Sequence, residues 1–479
     1  MTGRSSDLAS TPSTDIDTDM ERFGPITRAV ARFGAEWRWK DIPEAVRHEA
    51  RRSLLNYFAV ALAGSADPTV DIAARVFARF SAGQQATVIG RGQRMDMLNA
   101  ASLNAMMANV FDFDDTHPAT IIHPTAPVAP AAFALAQVQP VSGVRLLHAF
   151  ILGAEIECRM GNALTLGHYA HGWHITSTCG VFGAAIASAS LLGLDARRTA
   201  WALAGAGNQT GGLVETLGTM SKSISVGNTA RNGLLSALLA REGLAGPDQP
   251  IEGARGVLNV LSATPAPEKL IDGLGQRWEL CTNTYKPYPC GVVLNPVIEA
   301  VLALRERMAL ADRDPARVAR VELTGHPLLR QRTDRPGVRN GRESQVSAQH
   351  AIAVCLLHGR AGLAEFSDQA VADPRAHALD TRLRFHDDDA YTVDAVEIRI
   401  TLDDGRGFEH RIDAARGSSG NPLTDADLEN KLRELCAYGG SGCDAEAIIG
   451  GVWELETLTD AGKLMARAAG TPRTEIRTG

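Results

Sequence analysis

Apolar positions recur at helical spacing through most of the first 270 residues. In the stretch 42–64, Val46, Ala50, Leu54, Tyr57, Phe58 and Ala61 fall on one face, and Gly64 ends it. The same pattern predicts helices over 96–110, 127–137, 144–164, 181–192, 196–205 and 230–242. Strand signals are weak there. After about residue 272 the texture changes. The stretches 318–323 and 393–402 alternate and are rich in β-branched residues. The second passes through Asp403-Asp404-Gly405-Arg406 into 407–412, a predicted hairpin. Helical stretches at 296–308 and 347–358 lie among these strands, and helices return at 425–438 and 444–457. The reading is a mainly α protein. It predicts a discontinuous helical domain (21–272 and 415–460), a smaller α+β unit (273–414), a leader (1–20) and a polar tail (461–479).

Composition refines this picture. The 479 residues are 45% apolar and 22% charged, so a large core is available. Aromatics make up only 5%, so the core must be built from Ala, Leu, Val and Ile, which suits closely packed helices. A net charge of −7 gives no reason to expect a nucleic-acid partner. The first 19 residues are rich in Ser, Thr and Asp, and lack the apolar run of a secretory signal. They read as a disordered leader. No stretch of about 18 uncharged apolar residues stands out, so no membrane span is expected. Seven cysteines, an odd number without a CxxC pair, read as reduced thiols of a cytoplasmic protein.

The chemistry concentrates in four segments. Six of the thirteen histidines fall between positions 117 and 174. The first segment is Asp112-Phe113-Asp114-Asp115-Thr116-His117-Pro118, followed by His123-Pro124-Thr125. The second runs from His168 to Thr178 and includes His171, Gly172, Trp173, His174 and Thr176. Its hydroxyls and free backbone N–H groups precede a predicted helix, a setting that suits a carboxylate. The third, Met220-Ser221-Lys222-Ser223, places a lone lysine before another helix. The fourth is Tyr285-Lys286-Pro287-Tyr288-Pro289-Cys290-Gly291. Each segment also has an ordinary structural reading. The aspartates can cap a turn, His148 lies inside a helix, and His168 and His171 can be plain loop residues. A zinc site on His168, His171 and His174 is opposed by Gly172 and by the lack of any HExxH or cysteine pattern. No GxSxG elbow, Walker loop or GxGxxG after a strand is present.

Taken together, FDFDDTHPATIIHPT, GWHITSTCGVFGAA, LVETLGTMSKSISVGNTARNG, YKPYPCGVV and GNPLTDADLENKL resemble the MmgE/PrpD family over about 42–453. That family includes 2-methylcitrate dehydratase, cis-aconitate decarboxylase and iminodisuccinate epimerase. The resemblance implies a helical domain with an inserted α+β lid, a homodimer, and neither metal nor organic cofactor. By the same resemblance Asp112, Thr116, His123, His174 and Lys222 match the family's cleft, with Thr176, Thr178, Lys286 and Tyr288 as substrate-binding candidates. Three positions depart from the pattern. Ser225 and Asn295 stand where many members carry histidine, and His350 stands where some carry tyrosine.

The resemblance implies one demanding step shared by the family's reactions, the formation or quenching of a carbanion beside a carboxylate. Histidine can act as base or acid near neutral pH, and a lysine can hold the carboxylate. The expectation is a cofactor-independent lyase of a small di- or tricarboxylic acid, with dehydration first among the reactions. His123 and His174 would be the acid/base pair, Lys222 the anchor and His350 a further catalytic group. Epimerisation or decarboxylation of a related acid, and a non-catalytic carboxylate-binding role, are the alternatives. No membrane partner is expected.

Overall fold

The computed structural model describes residues 20–472. The leader expected over 1–20 lies outside them except for Met20, which is buried in the main core.

The larger core is a stack of helices. Its main members are α1 (Glu44–Gly64), α2 (Met97–Asn109), α3 (Thr125–Ala136), α4 (Gly143–Ala170), α5 (Ile175–Leu192) and α6 (Ser221–Arg241). The low aromatic content now has a geometric meaning. A Cβ on Gly153 of α4 would sit 2.5 Å from the Gly183 carbonyl of α5, so the two backbones cross where only glycine fits. Helix α5 has no charged residue and a mean hydropathy of 1.6, which is long and apolar enough for a membrane span. This corrects the expectation that no such stretch exists. In this fold α5 is the central helix, packed on α3, α4 and α6 and almost wholly buried.

The smaller core is an α+β layer. Helices α7 (Asn295–Arg307) and α8 (Ala348–His358) cover a four-stranded sheet. Its strands are β1 (Val318–Gly325), β2 (Leu383–Asp387), β3 (Val396–Leu402) and β4 (Gly407–Ile412), in spatial order β2-β1-β3-β4. β1 pairs parallel with β2 and antiparallel with β3, and β3 and β4 form the expected hairpin. β2 escaped the sequence pattern because its LRFHD run is mostly polar and largely exposed at the sheet edge.

After this layer the chain returns to the larger core. Helix α9 (Asp425–Gly439) packs on α1, and its Leu428, Leu432 and Leu435 join the helical cluster. The segment 461–472, expected to be part of a polar tail, does not behave as one. Leu464, Met465 and Ala468 are buried, and the carbonyls of Ala468 and Ala469 accept from Gly90 and Gly92.

Candidate active site

Three helix ends meet at the junction of the two cores. α2 gives way to a turn in which Asp112 takes a left-handed backbone, φ 52°. Aspartate tolerates this region better than most residues, and the turn brings its carboxylate under the cleft. α5 starts six residues earlier than the hydrophobic period suggests, with His174 at its N-cap. α6 also starts early, at Ser221, so Lys222 lies in its first turn. A cation there opposes the helix dipole and needs a compensating anion. The chain after Thr284 supplies Lys286. Trp278, Leu280 and Tyr285 pack in the larger core, so this stretch, expected in the smaller unit from residue 273, belongs with the larger one.

These side chains line one cavity of about 850 Å³, with Asp112, Thr116, His123, His174, Lys222 and Lys286 on the larger domain's side. Lys222 Nζ donates to Asp112 Oδ1 at 2.5 Å. Lys286 Nζ donates to the Asp112 carbonyl at 2.7 Å and to Oδ2 at 3.1 Å. Burial alone would raise the Asp112 pKa, but the two ammonium groups, Lys222 first, hold it far below the carboxylate range. One carboxylate against two ammoniums leaves the floor with one positive charge, which suits an anionic substrate.

The two imidazoles are set alike. His123 Nδ1 lies 2.8 Å from the Asp115 carbonyl, which can only accept, so Nδ1 carries the proton. Its Nε2 then has a free lone pair, 3.6 Å from Asp112 Oδ1. His174 Nδ1 is 2.7 Å from Ser177 Oγ, which is 2.8 Å from Ser225 Oγ. Ser225 spends its own proton on the Lys222 carbonyl, at 2.8 Å. Ser177 must therefore donate to Ser225 and accept from His174 Nδ1–H, which again leaves Nε2 bare. Burial keeps both imidazoles neutral. It lowers His123, and with the charge of Lys222 it pushes His174 down to about 3.

A buried layer supports this floor. The Asp115 carboxyl is pushed up to about 7 by burial, and the Glu157 carboxyl well above its ordinary range. Lys431 of α9 spends its three protons on Asn56 Oδ1, the Phe113 carbonyl and the Lys286 carbonyl, at 2.8, 2.8 and 2.9 Å. It ties together the backbone on either side of the cleft floor. The sequence reading missed Lys431. Its signal was a lysine among the apolar positions Leu428, Leu432 and Leu435.

Four of the expected site residues are placed elsewhere. Thr176 and Thr178 fall inside α5 because the helix starts early. Thr176 Oγ1 accepts from the His123 N–H at 3.1 Å, and Thr178 Oγ1 bonds His168 Nε2 at 2.7 Å. Neither lines the cavity. Tyr288 packs against the smaller core and a separate surface pocket. His350 is buried within α8, with Nε2 on the Glu365 carbonyl at 2.8 Å and its ring against Phe366, so the core holds it away from the cleft. Asn295, at the start of α7, faces Cys290 at 3.7 Å and is also off the cavity wall. The sequence offers Arg330 and Arg332, before the Asp334-Arg335-Pro336 turn, as candidate lid residues and does not single out Tyr169. Arg332, the rest of the 331–339 loop and Tyr169 line the cavity.

Among the described residues, Asp112, Asp114 and His123 are one group of potential ligands close enough to share a metal ion. The donor set fits a cation poorly, because Lys222 and Lys286 already neutralise Asp112 and would repel it. His168, His171 and His174 do not form such a group. His168 is turned to the Leu261 carbonyl at 2.7 Å, and His171 is exposed.

Comparison with known proteins covers nearly the whole chain. The profile of the MmgE/PrpD N-terminal domain matches residues 28–270, and that of the C-terminal domain matches 288–456. The chain is 28% identical to the cis-aconitate decarboxylase-like protein oryM of Aspergillus oryzae, over 95% of this chain and 99% of that protein. It is 28% identical to the cis-aconitate decarboxylase of Mus musculus, over 88% and 89%. A shorter match, 31% over 128 residues, covers 25% of this chain and 26% of the 2-methylcitrate dehydratase of Cupriavidus necator.

Proposed function

The chain belongs to the MmgE/PrpD family, and from that premise we propose that it is a lyase of a small di- or tricarboxylic acid. The observation that carries the reading is the floor of the cleft. Two neutral imidazoles with bare Nε2 atoms stand beside two ammonium groups that share a single carboxylate. The ammoniums attract a substrate carboxylate and offset the charge that builds on the neighbouring carbon. In this reading Lys222 is the anchor, and His123 and His174 exchange protons with the reacting carbon or its leaving group. Thr116, on the same wall, orients the substrate.

Two reactions suit this floor. Dehydration takes a proton from carbon beside a carboxylate and expels hydroxide as water. The bare Nε2 of His123 is placed as the base, and a protonated neighbour must assist the departing hydroxyl. Decarboxylation breaks the bond to a carboxylate, releases CO2 and needs a proton donor to the resulting carbanion, a part open on this floor to the Lys222 or Lys286 ammonium. The near full-length likeness to proteins named as cis-aconitate decarboxylases favours this second course. Incubating the full chain with a mixture of hydroxy and unsaturated polycarboxylates, followed by mass analysis, separates them by loss of water or of CO2. Full turnover by folded His123→Ala and Lys222→Ala variants of an active wild type would overturn the assignment of the site.

A further inference from the structure

The wall facing the lysines is built by the smaller domain. Segment 330–339 carries four arginines, and they differ in what they meet. Arg330 lies on Asp387, at 3.0 Å through Nε and 2.5 Å through Nη2. Arg339 lies on Glu343 at 2.8 Å. Arg332 and Arg335 both line the cavity, and among the described residues neither guanidinium has an acidic partner. Asp334 stands between them, but its Oδ1 accepts from Gln349 Nε2 at 2.7 Å. Arg332 is half-buried. The Tyr169 phenol feels Arg332 together with Asp112 and Lys286, which puts this tyrosine between the two walls.

A half-buried guanidinium without a counter-ion carries a desolvation cost that an incoming anion relieves. Its planar fork matches a carboxylate in a way an ammonium does not. The floor has one uncompensated positive charge and suffices for one carboxylate. We propose that Arg332, assisted by Arg335, binds a second substrate carboxylate remote from the reacting carbon, and so selects acids that carry carboxylates at both ends. The inference rests on the lyase reading and deepens it by naming the residue that holds the second carboxylate. Arg332 acts on binding, while the protons move on the opposite wall.

Titration calorimetry on the full chain with citrate as the probe tests it, using Arg332→Gln, Arg332→Lys, Arg335→Gln and the outward-paired control Arg330→Gln. Arg332→Gln should weaken citrate binding about 10- to 100-fold, the loss of one or two charge-assisted hydrogen bonds. Arg335→Gln should weaken it about threefold, Arg332→Lys should recover part of the loss, and Arg330→Gln should stay within about twofold. With a turned-over polycarboxylate, Arg332→Gln should raise KM and leave kcat nearly unchanged. Unaltered citrate binding by folded Arg332→Gln overturns the anchor and leaves the lyase reading intact. A wild type that neither binds citrate nor converts any polycarboxylate overturns both.

Discussion

On the larger domain's wall of the cleft, Asp112 pairs with both Lys222 and Lys286, and both imidazoles are fixed through Nδ1. On the smaller domain's wall, Arg332 and Arg335 extend from a largely exposed loop without acidic partners. The first arrangement is preorganised. Its donors and lone pairs are set before a substrate arrives, as proton transfer requires. The second leaves its charges to be satisfied by whatever binds. In the proposed reading, the contrast separates a wall that would set the reaction from a wall that would set which acid undergoes it.

The sharpest way to break this comparison is at His123. His123→Ala should lower kcat by about 10²- to 10⁴-fold in a protein whose circular dichroism is unchanged. A loss smaller than about tenfold would remove the chemistry from the larger domain's wall. Next in size is Asp112→Asn, which leaves two buried ammoniums facing each other. It should cost about 2 kcal/mol in urea unfolding, discounted because the carboxylate is partly exposed. The Asp112 pKa is depressed on folding, so its stabilisation is full above the ordinary carboxylate range and fades as pH falls below about 4. The variant should flatten that acid slope.

The histidines give a smaller effect of related sign. Folding lowers His123, and takes His174 down to about 3, so below pH of about 6.5 the unfolded chain binds more protons than the native one. Stability should be full above that pH and decline toward 3, and His174→Gln should lessen the decline in a series of Tm measurements. The acid limb of the rate profile should also fall well below 6.5. The smallest expected effect belongs to Ser225→Ala, which removes the acceptor that orients the Ser177 hydroxyl. We expect about a 3- to 10-fold loss in kcat with little change in KM, and recovery in Ser225→Thr, because a fixed tautomer is lost while the anchor remains.

How much of this could be read in the sequence follows from what each signal reports. Helices α7 and α9 and the hairpin of β3 and β4 declared themselves by period, because each buries one face and leaves the other more open. α1 and α2 showed as runs of small and apolar residues and are buried all round over most of their length. The starts of α5 and α6 did not, since their first turns are hydroxyl-rich and carry no apolar stripe. That error moved Thr176 and Thr178 from a supposed loop into a helix, where they support His123 and His168 and do not line the cleft. The cluster of Asp112, His123, His174 and Lys222 was legible because chemistry-bearing residues stood in loops beside helix starts. His350 misled for the opposite reason. A histidine at a family position carries no record of which way its helix turns, and α8 turns it into the core.

Lys431 implies an order of assembly. Its ammonium holds the Phe113 and Lys286 carbonyls together, yet it arrives on α9, more than a hundred residues after either. During synthesis the loops that carry the charged groups emerge first, and α5, with the hydropathy of a membrane span, waits with part of its surrounding core unmade. The nascent chain thus holds these charged loops before it holds the lysine that joins them. That join is made only when α9 packs on α1.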